Sequence, residues 1–81
     1  MKLKFEKRFL KKLSKLPRKD QIRILAKLKI FEETGRGDLV KLEGYDNIYR
    51  FRVGDFRLKM WLGGDECIVF DLERRERAYK R

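Results

Sequence analysis

Residues 47–61 read NIYRFRVGDFRLKMW, with cations at every second position on either side of a Gly-Asp pair. Side chains on a strand alternate between its two faces. Arg50 and Arg52 therefore share one face, and Arg57 and Lys59 share one face of the strand that follows. Gly54-Asp55 has the form of a two-residue hairpin link, glycine supplying the positive φ such turns require. The link sets the four cations as cross-strand neighbours. A single basic residue on a polar-out strand would mean nothing. Like charges placed opposite one another destabilise a sheet, so folding gives nothing back for this arrangement, whereas a bound polyanion does. Guanidinium groups hold phosphate oxygens in a fixed fork and stabilise charge that develops on them. Phosphate binding and charge stabilisation are thus the chemistry this cluster is suited to. It is poorly suited to taking a proton, because arginine stays protonated.

Other chemistries are excluded by what the chain lacks. It has no histidine, which removes the commonest general base, and with one cysteine it lacks the makings of an ordinary transition-metal site. Its carboxylates show neither EF-hand nor paired catalytic spacing, and no glycine-rich phosphate loop is present. No metal and no cofactor are expected. Twenty-three Lys+Arg against thirteen Asp+Glu give a net charge of +10, which points to a polyanionic partner. Part of the 44% charged content fits a solvated or heat-resistant surface.

Eighty-one residues make a single domain, 1–81, with a small core; a chain of this size buries only somewhat more than about 60% of its unfolded surface. The opening MKLKFEKRFL has no long apolar run, so neither a signal peptide nor a membrane span is expected. Cys67 has no internal partner, which fits a reducing compartment and a cytoplasmic protein. It reads as a filler on its strand.

The elements that must position the cations follow from periodicity. KLKF (2–5) reads as a short strand. Residues 6–16 turn helical, with Phe9, Leu10, Leu13 and Leu16 on one face and Lys7, Arg8, Lys11, Lys12 and Lys15 facing away. Pro17 ends that helix and opens a second over 18–33. In it Ile24, Leu28 and Phe31 form one row, and Ile22, Leu25 and Lys29 the row beside it. TGRGD (34–38) is a stop signal, and LVKLEGYDN (39–47) a loop or short extended piece. Three strands follow, Ile48–Val53, Phe56–Leu62 and Cys67–Leu72. Ile68, Phe70 and Leu72 are expected to face the helices, with Cys67, Val69 and Asp71 opposite. The fold class is α+β in the order β-α-α-β-β-β, a helical hairpin packed on one face of a small antiparallel sheet. The other face carries Arg50, Arg52, Arg57 and Lys59, with Trp61 at its edge. The tail ERRERAYKR (73–81) brings Arg74, Arg75, Arg77 and Tyr79 close behind the third strand.

At KLEGYDNIYRFRVGDFRL (41–58) and RRERAYKR (74–81) the chain resembles the RelE/ParE toxin superfamily. That superfamily carries a Lys-Leu-x-Gly element, a Tyr-Arg-Ile-Arg-Val-Gly-Asp-Tyr-Arg run and an Arg-x-x-x-Tyr ending. The helical hairpin and strand order match as well, so the resemblance covers essentially the whole chain. It implies the toxin of a toxin–antitoxin pair. RelE-like members cut messenger RNA in the ribosomal decoding site, and ParE-like members poison DNA gyrase. The RelE-like catalytic set falls here on Arg50, Arg52, Arg57, Arg75 and Tyr79, and the RNA-binding set on Lys59, Arg74, Arg77 and Lys41. Some relatives have lysine at the positions of Arg50 and Arg52, and many have histidine where this chain has Arg74.

RNA cleavage by its own 2′-hydroxyl needs a base, stabilisation of the phosphorane and an acid for the leaving 5′-oxygen. The arginines supply the second; candidates for moving a proton are Tyr79, Lys59, Glu73 and Glu76. The partners implied by the resemblance are a cognate antitoxin, expected to present an acidic helix, the ribosome and mRNA. A gyrase inhibitor without catalysis and an inactive nucleic-acid-binding relative are the alternatives.

Overall fold

The computed structural model describes residues 1–75. Seven elements follow one another: β1 (Lys2–Phe5), α1 (Lys7–Ser14), α2 (Arg18–Thr34), β2 (Asp38–Lys41), β3 (Ile48–Val53), β4 (Phe56–Gly63) and β5 (Glu66–Arg74). They build an α+β fold, with the helical hairpin on one face of a five-stranded sheet ordered β1-β5-β4-β3-β2. This is one strand more than the sequence pattern predicts. DLVK, which the sequence pattern splits between the TGRGD stop signal and the loop or extended piece that follows it, pairs antiparallel with β3, Asp38 opposite Arg52 and Val40 opposite Arg50.

The sheet is mixed, where a purely antiparallel one was expected. From β2 the chain reverses direction three times through β3, β4 and β5, and β5 arrives beside β1 pointing the same way. β1 and β5 are therefore parallel, with Lys2 opposite Glu66 and Phe5 opposite Val69.

Each helix turns one row of apolar residues inward. Phe9 and Leu13 of α1 and Ile24, Leu28 and Phe31 of α2 are buried against Phe51, Val53, Phe56, Leu58, Met60, Cys67, Val69 and Leu72 of the sheet. The neighbouring residues Leu10, Ile22 and Leu25 stay exposed, because two short helices lying side by side on a small sheet can each cover it with only one row. Pro17 sits at the N-cap of α2, where its missing N–H costs nothing. Gly35 closes that helix in the left-handed region at φ 75, its N–H donating to the Phe31 carbonyl at 2.8 Å.

Strand β5 reverses the expected facing. A bulge lies opposite Lys59 and Met60, where Lys59 pairs with Asp71 but Met60 pairs with Val69. Phe70 is the extra residue. Cys67 and Val69 consequently point into the core, Ile68 and Phe70 are only half-buried, and Leu72 returns inward past the bulge. One inserted residue flips the parity of everything on one side of it.

Asp71, beside the bulge, ties α1 to the sheet. Its carboxylate accepts hydrogen bonds from Lys12 Nζ and from the Leu72 backbone N–H, both at 2.8 Å, with Arg8 at 3.8 Å. Burial alone would raise its pKa; the Lys12 and Leu72 hydrogen bonds and the charges of Lys12 and Arg8 outweigh it and hold the carboxyl below the usual value. A lowered carboxyl stabilises the fold above its unfolded pKa of about 3.9, and that contribution is lost as pH falls through the folded value. Asp71→Asn should therefore cost about 1–3 kcal/mol at pH 7. The gap between parent and variant in urea midpoint should close as the pH is lowered below about 4. A gap that persists unchanged at pH 3 would refute the ionic account.

Cys67 is fully buried, its Sγ 3.5 Å from Met60 Sδ. Burial, and secondarily the charge of Glu32, pushes its thiol up to about 11. A thiol reagent at pH 8 should label it only on unfolding, and rapid labelling of the native protein would mean that β5 opens.

Candidate nucleic-acid interface

The hairpin of β3 and β4 is the core of the site. Val53 pairs with Phe56 across Gly54-Asp55, and Gly54 has φ 59. This short turn fixes the register of every pair behind it. Arg52 lies opposite Arg57, and Arg50 opposite Lys59, with Phe51–Leu58 and Tyr49–Met60 between and behind them on the alternate face. Phe51, Leu58 and Met60 are buried under the helices, so the four cations occupy the helix-free face as two opposed pairs.

The quartet has acidic flanks. Arg52 Nε lies 3.2 Å from Asp38 Oδ2 of β2, and Lys59 Nζ lies 3.3 Å from Glu73 Oε2 of β5. Arg50 and Arg57 have no ion-pair partner among the described residues, and both are half-buried. Two carboxylates against four cations leave the face positive, with two guanidinium groups uncommitted. Lys59 and Glu73 put a proton donor and an acceptor in contact beside Arg57, since Arg57 is itself opposite Glu73.

The remaining sequence candidates divide. Arg75 is exposed at the hairpin end, and its backbone N–H donates to the Asp55 carbonyl at 2.6 Å, so the chain leaves β5 alongside the turn next to Arg52 and Arg57. Arg74 goes the other way. Its guanidinium lies over the Phe56 ring, 5.2 Å from the centroid, and Phe56 belongs to the core face. Lys41 pairs with Tyr49 and so takes the alternate face to Arg50. Neither joins the quartet. Arg77, Tyr79 and Glu76 lie outside the described residues.

Sequence reasoning missed two contributions. Asp38 was hidden because β2 was not recognised as a strand. Arg23, from α2, packs its guanidinium against Gly54, where a Cβ would come within 2.8 Å of Nη1. Gly54 thus serves both the turn and this close approach. Arg23, Lys27, Arg36 and Arg52 line a cavity of about 430 Å³ at this end of the sheet, with Asp38 the one acidic member. No local sequence signal joins a helix arginine to a hairpin glycine thirty-one positions on.

No family model matches the chain. Among solved structures it resembles the archaeal RelE-RelB complex from Pyrococcus horikoshii OT3, at 28% identity and TM-score 0.79 over 94% of this chain and 96% of that one. It also resembles the RelB-RelE antitoxin-toxin complex from Methanococcus jannaschii, at 29% identity and TM-score 0.77 over 94% of both chains. The architecture is that of a RelE-like toxin of the RelE/ParE superfamily. Toxin RelE3 of Methanocaldococcus jannaschii is 36% identical over 87 aligned positions, 98% of this chain and 96% of its own. The chain belongs to the RelE toxin family.

Proposed function

We propose that this protein is the toxin of a type II toxin–antitoxin pair and cuts messenger RNA in the ribosomal decoding site. The observation that carries the reading is the two opposed cation pairs, Arg52–Arg57 and Arg50–Lys59, on the sheet face that the helices leave open. In the reaction the 2′-oxygen attacks the adjacent phosphorus and gives its proton to a base. The P–O5′ bond breaks, and an acid protonates the leaving 5′-oxygen. The products are a 2′,3′-cyclic phosphate and a 5′-hydroxyl. Arg57 and Arg75 stabilise the phosphorane, and Arg50 and Arg52 orient the backbone. Lys59 with Glu73, or Tyr79, moves the proton; Tyr79 is equally suited to stacking on a base.

The absence of histidine suits a ribosome-dependent enzyme. Arginine is a poor base, so the in-line geometry imposed by the ribosome must supply much of the rate. Free RNA is then a poor substrate. The relatives seen with RelB support a cognate antitoxin for this chain as well. An antitoxin segment rich in carboxylates would neutralise the quartet and cover it. The setting is cytoplasmic; among the described residues no helix is long and apolar enough to cross a membrane.

Primer extension on programmed ribosomes tests the reading. Cuts inside the decoding site are expected. Ribosomes that keep translating an intact message, together with loss of gyrase supercoiling, would move the protein to the ParE-like class. Salt-sensitive RNA binding without either effect would make it an inactive relative.

A further inference from the structure

The open face of the sheet does not stay basic along its length. On β4 the same-face positions run Arg57, Lys59, Trp61 and Gly63, about 6.8 Å apart from one to the next. Trp61 pairs with Ile48 on one side and Ile68 on the other. The bulge turns Phe70 to this face as well. Trp61, Ile48, Ile68 and Phe70 line a shallow hollow of about 410 Å³, with Glu6 and Glu66 at its margin. Ile48 and Phe70 also line a second hollow of about 260 Å³ with Tyr45 and Lys59. The apolar ground is therefore continuous with the cation quartet through Lys59.

Trp61 is held in one attitude. A Cβ on Gly63 would fall 2.3 Å from Trp61 Cη2 and 2.7 Å from Cζ2. The six-membered ring thus lies flat over the glycine, where any other residue would lift it. The Trp61 side chain is half-buried, so part of it stays open to solvent. Folding does not call for this shelf, since Met60, Cys67 and Val69 already fill the core on the other side of the same strands.

We infer that the Trp61 shelf stacks the bases of the RNA strand whose phosphates the adjoining quartet holds, making Trp61 and Phe70 base-positioning residues. The inference rests on the reading of the quartet as an RNA site. A flat aromatic beside a row of cations has the two parts that single-strand binding needs, a charged track for the backbone and a π-face for the bases. Charge complementarity sets the direction: phosphates lie over Arg57 to Lys59, and a base reaches past Lys59 onto the indole. At the far rim Glu66 is paired with Lys4 at 2.9 Å and Glu6 stands beside it, so that end repels phosphates and directs them back toward the quartet.

Trp61 is the one tryptophan in the chain, so its fluorescence reports on this place alone. The probes are a 2′-O-methyl hexaadenylate, which cannot be cut, and an abasic strand with the same number of phosphates, both end-labelled so that anisotropy measures binding independently. The hexaadenylate should quench Trp61 to saturation, and the abasic strand should bind more weakly with little quench. Trp61→Leu should weaken hexaadenylate binding about 5- to 150-fold while leaving abasic-strand binding and its salt slope unchanged. Gly63→Ala, which lifts the ring and keeps it, should lose the quench in the same way. Equal quenching by both strands, or unchanged hexaadenylate binding by Trp61→Leu, overturns the shelf and leaves the phosphate site standing. A quench from an acidic apolar peptide and from no oligonucleotide reassigns the shelf to a protein partner. If neither strand binds, the RNA reading of the quartet falls, and the shelf with it.

Discussion

Arg57→Ala should cut ribosome-bound mRNA about a hundred to a thousand times more slowly than the parent chain, the loss expected when one preorganised donor to a developing oxyanion is removed. Arg57 faces Arg52 across the hairpin and has no ion-pair partner among the described residues. Its charge is therefore available to a phosphorane. The same feature separates catalysis from folding. Removing one of two opposed like charges relieves repulsion worth about 0.2–1 kcal/mol, so the variant should melt no lower than the parent. Arg57→Lys keeps the charge and loses the fork, and should fall between the two. Single-turnover cleavage on programmed ribosomes, with thermal melts alongside, reads both quantities. Full cleavage by a folded Arg57→Ala protein would remove Arg57 from the reaction.

Phe51→Ala should be the most damaging change to the fold, at about 3–5 kcal/mol. Phe51 lies between Arg50 and Arg52 and faces the opposite way, 1% exposed. Its ring packs on Phe31 at 5.2 Å between centroids and fills the space beside Gly37, where a Cβ would lie 2.1 Å from Phe51 Cε1. It joins α2, β3 and the entry to β2 in one contact. A domain of this size has about 5–15 kcal/mol of stability in all, so the variant should show a urea midpoint reduced by about a fifth or more. An unfolding free energy within about 1 kcal/mol of the parent would mean that the Phe51 ring does not hold α2 to the sheet.

The contrast between these neighbours explains what could be read from sequence. The alternation of β3 and β4 was legible because a two-residue turn fixes register, and register fixes which face each side chain takes. Arg50, Arg52, Arg57 and Lys59 were found for that reason. β5 resisted the same reasoning. Cys67, Ile68, Val69 and Phe70 are all apolar, so neither parity is marked, and a bulge opposite Met60 leaves no residue signature. DLVK is too short for alternation to stand out, which hid both β2 and the Asp38–Arg52 contact. Lys41 and Arg74 misled for a simpler cause. Proximity in sequence to the basic strands says nothing about face, and each lies one residue out of phase.

The parallel pairing of β1 with β5 has a consequence for synthesis. β1 is made well before its partner β5, which begins with Glu66 opposite Lys2. α1 waits as well, because Lys12 and Arg8 have Asp71 as their counter-charge. A chain stopped in β4 has the helices and the quartet hairpin but lacks Cys67, Val69 and Leu72 from its core. Such fragments cannot close the sheet. The tertiary fold therefore forms only once β5 has been made, however early the helices and the hairpin take shape.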